Sequence, residues 1–249
     1  MLKKILIFTF LAFPAQAQIL ANKDLNILFI GNSYTATNNM PKMIEKIAAS
    51  DTRGNYRIHT ESVTIGGAGL KKLWQEGQAL KALRSQAWNF VVLQDQSVWA
   101  QYKESIDSSY QIAPIWANAI KLQDSKAVLF ITWPRKPNST WYSNADTAFM
   151  QSAQLMQAQT NFHSKKIAAL LNASEVPIGN YWLYALGKDS KIELYSGDGS
   201  HPSVVGSYFT ALIFYRYFTA RPLDDVDYFP SEIKADAIKM IKLLAAAKL

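Results

Sequence analysis

The chain has 249 residues, of which 49% are hydrophobic and 18% charged, and it contains no cysteine. That balance excludes a disordered or low-complexity protein and fits a single domain with a large core, while the missing thiol excludes disulfides and thiolate chemistry. The net charge of +7 comes from scattered Lys and Arg, without the dense basic run that would track nucleic acid, so no nucleic-acid partner is expected.

Residues 1–17 read as a signal peptide. Lys3 and Lys4 precede an apolar run from Ile5 to Phe13, and Ala15-Gln16-Ala17 has the small-x-small form of a cleavage site. The run is shorter than the roughly 20 residues that cross a bilayer. The expected product is an exported protein, periplasmic or extracellular, without stable membrane insertion after signal removal. Its residues 18–249 would form one domain.

Downstream, Asn26 to Ile30 is an apolar run ending at Gly31 and predicts a buried strand. A helix is predicted over Met40 to Ala49, with Met40, Met43, Ile44 and Ile47 on one face and Pro41 at its start. Arg57 to Ile65 predicts a second strand, and Leu70 to Ser85 a second helix. Phe90 to Leu93 and Ala127 to Ile131 have the apolar character of central parallel strands, separated by a helix over Tyr110 to Leu122. Helices over Phe149 to Leu171, Ser203 to Phe218 and Ser231 to Lys248 follow, with a short fifth strand at Glu175 to Ile178. Strands alternating with helices predict a three-layer α/β/α sandwich around a parallel sheet of about five strands. The irregular stretch from Trp133 to Asp146 would leave the C-terminal end of a strand, where ligand-binding loops gather.

Two short segments carry the chemistry. Ser33 follows the first strand in Gly31-Asn32-Ser33-Tyr34-Thr35, and Asp198-Gly199-Ser200-His201-Pro202 lies near the C-terminus. Strand, Gly and Ser followed by a helix would expose a hydroxyl at the sheet edge among backbone N–H groups. Asp198 can fold back within one turn to reach the His201 ring; Asp198 and Ser200 could instead cap the next helix, but capping gives no reason for an imidazole beside an acid. A hydroxyl, an imidazole and a carboxylate are the parts that acyl transfer through serine requires. His59 and His163 lack such surroundings.

These residues resemble the first and last blocks of the SGNH/GDSL hydrolases, a superfamily of esterases, lipases and carbohydrate acetylesterases. The Gly-Asn-Ser block, with Val91 to Ser97, is similar to a secreted bacterial branch of it. The resemblance implies the flavodoxin-like fold of that superfamily, with Ser33 as nucleophile, His201 as general base and Asp198 as its partner. It also implies an oxyanion hole built from the Ser33 N–H, a glycine N–H and a side-chain amide. The glycine would be Gly67 or Gly66, with Gly67 preferred. The chain departs from the family where Gln94-Asp95-Gln96-Ser97 replaces Gly-x-Asn-Asp, so Gln96, or else Gln94, would supply the amide. Asn32 replaces the Asp of many members and could organise the turn.

The expectation is ester hydrolysis, with an acetyl group on a carbohydrate as substrate, and neither metal nor organic cofactor is implied. Trp74, Trp99, Trp133, Trp141 and Tyr142 could offer sugar-stacking faces or simply pack the interior. A catalytically weak carbohydrate-binding protein on the same scaffold and a sugar O-acyltransferase are the alternatives.

Overall fold

The computed structural model describes residues 23–143 and 150–249, so the signal segment lies outside the described residues, as does Phe149. Five strands, β1 (Lys23–Gly31), β2 (Tyr56–Thr64), β3 (Phe90–Leu93), β4 (Lys126–Phe130) and β5 (Ser174–Val176), form one sheet in the order β2-β1-β3-β4-β5. Every pairing is parallel. The chain first builds outward from β1 to β2, then returns to add β3 on the other side of β1. Loops leaving β1 and β3 therefore diverge at a topological switch point, where open α/β sheets bind ligands.

Alternate residues of the central strands feed two cores. Ile27, Phe29, Val92, Val128 and Phe130 face one layer of helices, and Leu28, Ile30, Val91, Leu93 and Leu129 the other. A short α1 (Ser33–Ala36) at the rim leads through a 3-10 turn into α2 (Met40–Ser50). On the opposite face lie α3 (Leu70–Gln75), α4 (Gln78–Leu83) and α5 (Lys103–Lys121). The rim helix α6 (Thr140–Ser143) precedes α7 (Ala153–Leu171), which packs beside α5. The first layer is completed by α8 (Ile178–Lys188), α9 (Val204–Thr219) and α10 (Ala235–Ala245). The predicted three-layer α/β/α sandwich is thus the observed fold. Among the described residues no helix is long and apolar enough to cross a membrane.

The differences from the sequence reading are local. The helix expected over Leu70 to Ser85 breaks at Gly77, whose φ of 74° is left-handed and turns the chain between α3 and α4. Helix α8 was not expected at all. Gly179 and Gly187 lower its propensity, and it forms because Ile178, Trp182 and Ala185 bury against the sheet. Helix α5 begins at Lys103, about two turns earlier than its apolar face indicated.

Asp51, just beyond α2, joins two remote segments. Its carboxylate accepts hydrogen bonds from Arg221 Nε (3.0 Å) and Nη2 (3.2 Å), the Tyr215 hydroxyl and the Arg53 N–H (3.0 Å). Burial opposes its charge, but the Arg221, Tyr215 and Arg53 hydrogen bonds outweigh that and hold the carboxyl down to about 2.

Candidate active site

Ser33 is the first residue of α1 and sits directly beyond β1 at the switch point. Asn32 makes the turn. Its side-chain Oδ1 accepts the Tyr34 N–H (3.1 Å), which caps the helix. Its Nδ2 donates to the carbonyls of Ala68 (2.9 Å) and Asp95 (3.3 Å), and its backbone N–H donates to Gln94 Oε1 (3.0 Å). One buried amide thereby joins the loops that follow β1, β2 and β3. The expectation that Asn32 organises the turn is met, with a wider reach than its sequence position indicates.

The loop of residues 196–202 is closed by the Ser196 N–H to the His201 carbonyl (2.8 Å) and a bridge between Tyr195 and Pro202. Helix α9 is capped by Ser203, whose hydroxyl accepts the Gly206 N–H (3.0 Å), so Asp198 is not spent as a cap. Asp198 Oδ2 instead lies 2.5 Å from His201 Nδ1. Its Oδ1 accepts the backbone N–H groups of Ser200 and His201 (both 2.9 Å) and the Ser196 hydroxyl (2.8 Å). Burial opposes its charge, yet the bonds from His201, Ser200 and Ser196 hold the carboxyl well below the usual carboxylate range.

The far nitrogen of the same ring, His201 Nε2, lies 2.8 Å from Ser33 Oγ. The three side chains singled out in the sequence form one continuous chain of contacts. The segment after β4 holds the loop that carries His201. Trp133 Nε1 donates to the Ser200 carbonyl (3.0 Å), the Lys136 N–H to the Gly199 carbonyl (2.8 Å), and the Tyr195 hydroxyl to the Pro134 carbonyl (3.0 Å). From the nucleophile side, Asn38 Nδ2 donates to the Pro202 carbonyl (3.2 Å).

Gly67 occupies the third position of a tight turn in which the Ala68 N–H donates to the Ile65 carbonyl (3.0 Å), and its φ is 67°. This left-handed backbone, rather than crowding, calls for glycine there, since a Cβ would meet nothing within 4 Å. Gln94 is fully buried. Its Oε1 accepts the Asn32 N–H and the Thr35 hydroxyl (3.0 Å each), and its Nε2 donates to the Asp95 carbonyl. Gln96 is only half-buried. Its Oε1 accepts the Val98 N–H (3.0 Å), which leaves Nε2 without a partner among the described residues. Asp95 between them is buried and braces the loop, accepting from the Leu70 N–H (3.1 Å), the Gln96 N–H (2.8 Å) and the Ser109 hydroxyl (2.5 Å). Burial pushes the Asp95 carboxyl up.

Most of the aromatic candidates for sugar contact belong to the interior. Trp133 is 1% exposed, with Tyr34 stacked on one face (4.6 Å) and Trp182 on the other (3.8 Å). Trp99 and Tyr142 are buried as well, and only Trp74 and Trp141 are half-exposed. Their size and apolar faces make them core material first. His59 is exposed on β2, and His163 on α7 contacts the Tyr110 hydroxyl (2.5 Å) and the Gln159 amide (2.8 Å). Sequence reasoning passed over Arg135, whose Nη1 donates to the Tyr34 hydroxyl (3.0 Å) and Nη2 to the Ser97 hydroxyl (3.4 Å). Its position two residues past Trp133, in a strand-end loop, was the available signal. Among the described residues no cluster of three or more His, Asp or Glu could hold a metal ion.

No family profile and no curated protein matches the sequence. Solved structures do. A protein from Slackia heliotrinireducens assigned to the SGNH hydrolases superimposes with a TM-score of 0.58 at 25% identity, over 80% of this chain and 100% of its own. By fold, the chain is similar to the SGNH hydrolases. Other solved structures share the fold at lower identity. A DUF4886 family protein from Bacteroides uniformis has a TM-score of 0.72 at 18% identity, covering 90% of this chain and 93% of that one. An acetyl xylan esterase has a TM-score of 0.57 at 13% identity, covering 79% and 100%. In this framework the Gly31-Asn32-Ser33 turn leaves the end of β1, is tied through Gln94 to the segment after β3, and meets the Asp198–His201 loop at Ser33 Oγ.

Proposed function

We propose that this chain is an exported serine esterase that releases a short acyl group, acetyl foremost, from a carbohydrate. The observation that carries the reading is the unbroken contact from Asp198 through His201 to Ser33, at 2.5 and 2.8 Å. Asp198, as a carboxylate, fixes the ring so that Nδ1 carries the proton and Nε2 is free to accept one. His201 takes the Ser33 hydroxyl proton as Oγ bonds to the acyl carbon. The carbonyl pair moves to oxygen, and the Ser33 N–H, the Gly67 N–H and the Gln96 side-chain amide receive that oxyanion. Collapse breaks the bond from the acyl carbon to the sugar oxygen, which takes the proton from His201 and leaves as a hydroxyl. Water then repeats the sequence on the acyl-enzyme and releases the acid. No step calls for a metal or cofactor.

Gln96 is assigned in preference to Gln94 because its amide N–H₂ remains uncommitted, whereas Gln94 is spent on the turn. Export rests on the signal-like segment of residues 1–17, and the carbohydrate assignment draws on the acetyl xylan esterase neighbour. The test is turnover of p-nitrophenyl acetate and of acetylated glycans by wild type and Ser33→Ala, with fluorophosphonate labelling of Ser33. Labelling that is absent from the wild type would point instead to a carbohydrate-binding protein without an activated hydroxyl. Turnover that survives in Ser33→Ala would overturn the mechanism.

A further inference from the structure

We infer that Arg135 forms an anion subsite beside Ser33, and that the ester taken by this site carries a carboxylate. The inference deepens the esterase reading and rests on it.

Arg135 is half-buried, and its hydrogen-bond partners are neutral hydroxyls, those of Tyr34 and Ser97. Among the described residues its buried Nε has no partner, and no carboxylate lies within 4.0 Å of the guanidinium. The contrast within the same chain is Arg221, which pairs with both Asp51 (3.0 Å) and Asp225 (3.5 Å). A partly desolvated cation with no counter-charge among the described residues is unfavourable, and an arriving anion offsets that cost. The acid of the triad cannot serve, because Asp198 is committed to His201, Ser200 and Ser196.

The position of the guanidinium ties it to the reacting centre. One hydroxyl partner, Tyr34, directly follows Ser33 and has its ring edge against His201 (5.6 Å). The other, Ser97, directly follows Gln96. The cation therefore lies against the side chains that directly follow the nucleophile and the proposed oxyanion amide in the chain, with the exposed Lys136 next along the chain. A planar guanidinium favours a planar carboxylate, which it can grip with two parallel N–H···O bonds. Among carbohydrate esters, an acetylated uronic acid supplies that group on the alcohol side.

The test compares kcat/KM for acetylated methyl glucuronide and acetylated methyl glucoside in wild type, Arg135→Lys and Arg135→Gln, with p-nitrophenyl acetate and Ser33→Ala as the reference pair. Wild type should prefer the glucuronide by about tenfold or more at low salt, the ratio expected of one charge-assisted contact. Added salt should shrink that preference. Arg135→Gln should abolish it chiefly through KM, and Arg135→Lys should retain part of it. Equal losses on both sugars in Arg135→Gln would mean that Arg135 only braces Tyr34 and Ser97, and would overturn the subsite. So would a wild type that hydrolyses p-nitrophenyl acetate in a Ser33-dependent way without favouring the glucuronide. Turnover of p-nitrophenyl acetate that persists in Ser33→Ala would instead sink the underlying esterase reading.

Discussion

Asp51 and Asp198 each accept four hydrogen bonds, and both carboxyls are held below their ordinary range. Their surroundings differ in two respects. The Asp51 side chain is 0% exposed and its charged partner is Arg221, a permanent cation. The Asp198 side chain is 49% exposed and its partner is His201, which can gain and lose a proton. The number of bonds thus says little about what a buried or half-buried acid does. The Asp51 pair is closed on itself and holds α2 to the end of α9. The Asp198 pair continues through the ring to a hydroxyl at 2.8 Å, so its charge can be felt by a reacting group.

Substitutions should separate the two regions by effect. Ser33→Ala is expected to lower kcat on p-nitrophenyl acetate by about 10⁵-fold, in line with loss of a triad nucleophile, with thermal midpoint unchanged in a melting experiment. Asp198→Asn should cost on the order of 10⁴-fold in kcat, because the amide no longer fixes the imidazole tautomer, again with little change in stability. Asp51→Asn should do the reverse, lowering unfolding free energy in urea by about 3 kcal/mol while the folded fraction keeps its kcat. A large rate loss in Asp51→Asn, or a large stability loss in Asp198→Asn, would break the distinction.

Smaller effects sharpen it. Gln96→Ala should lower kcat by about 10²-fold through loss of one oxyanion donor. Gln94→Ala should act on stability, since Asn32 and Thr35 lose their acceptor. Acid titration offers the mildest probe. The folded Asp51 carboxyl, at about 2, lies below its unfolded value of 3.8, so its contribution is complete above about pH 5 and is lost as pH falls through 3.8 towards 2. The lost stability should be about 2 kcal/mol and should vanish from the difference between wild type and Asp51→Asn.

Much of this was legible before the fold was known. The run Asn26 to Ile30 lies within β1, and Phe90 to Leu93 matches β3 residue for residue. Each reports its own burial through apolar composition. Helix α8 was missed because its two glycines hide a helix made stable by Trp182 and its neighbours packing on the sheet. In the site, Ser33, Asp198 and His201 could be named from local sequence. Interior packing of Trp133 was among the readings its sequence allowed, but its stack between Tyr34 and Trp182 was not, since a loop position gives no sign of those partners.

What the sequence alone determined is the chemistry that neighbours in the chain can supply. Apolar runs specify strands, a strand-Gly-Asn-Ser segment specifies a capped turn, and an Asp three residues before a His specifies a carboxylate within reach of the ring. The tertiary structure decided which of these meet. Ser33 and His201 touch across 168 residues, Gln94 turns inward while Gln96 Nε2 has no partner among the described residues, and Arg135 reaches the hydroxyls of Tyr34 and Ser97. Those outcomes follow from the order of the strands, which sets β1 beside β3 and brings distant loops to one edge. Chain-local propensities carry no record of that order.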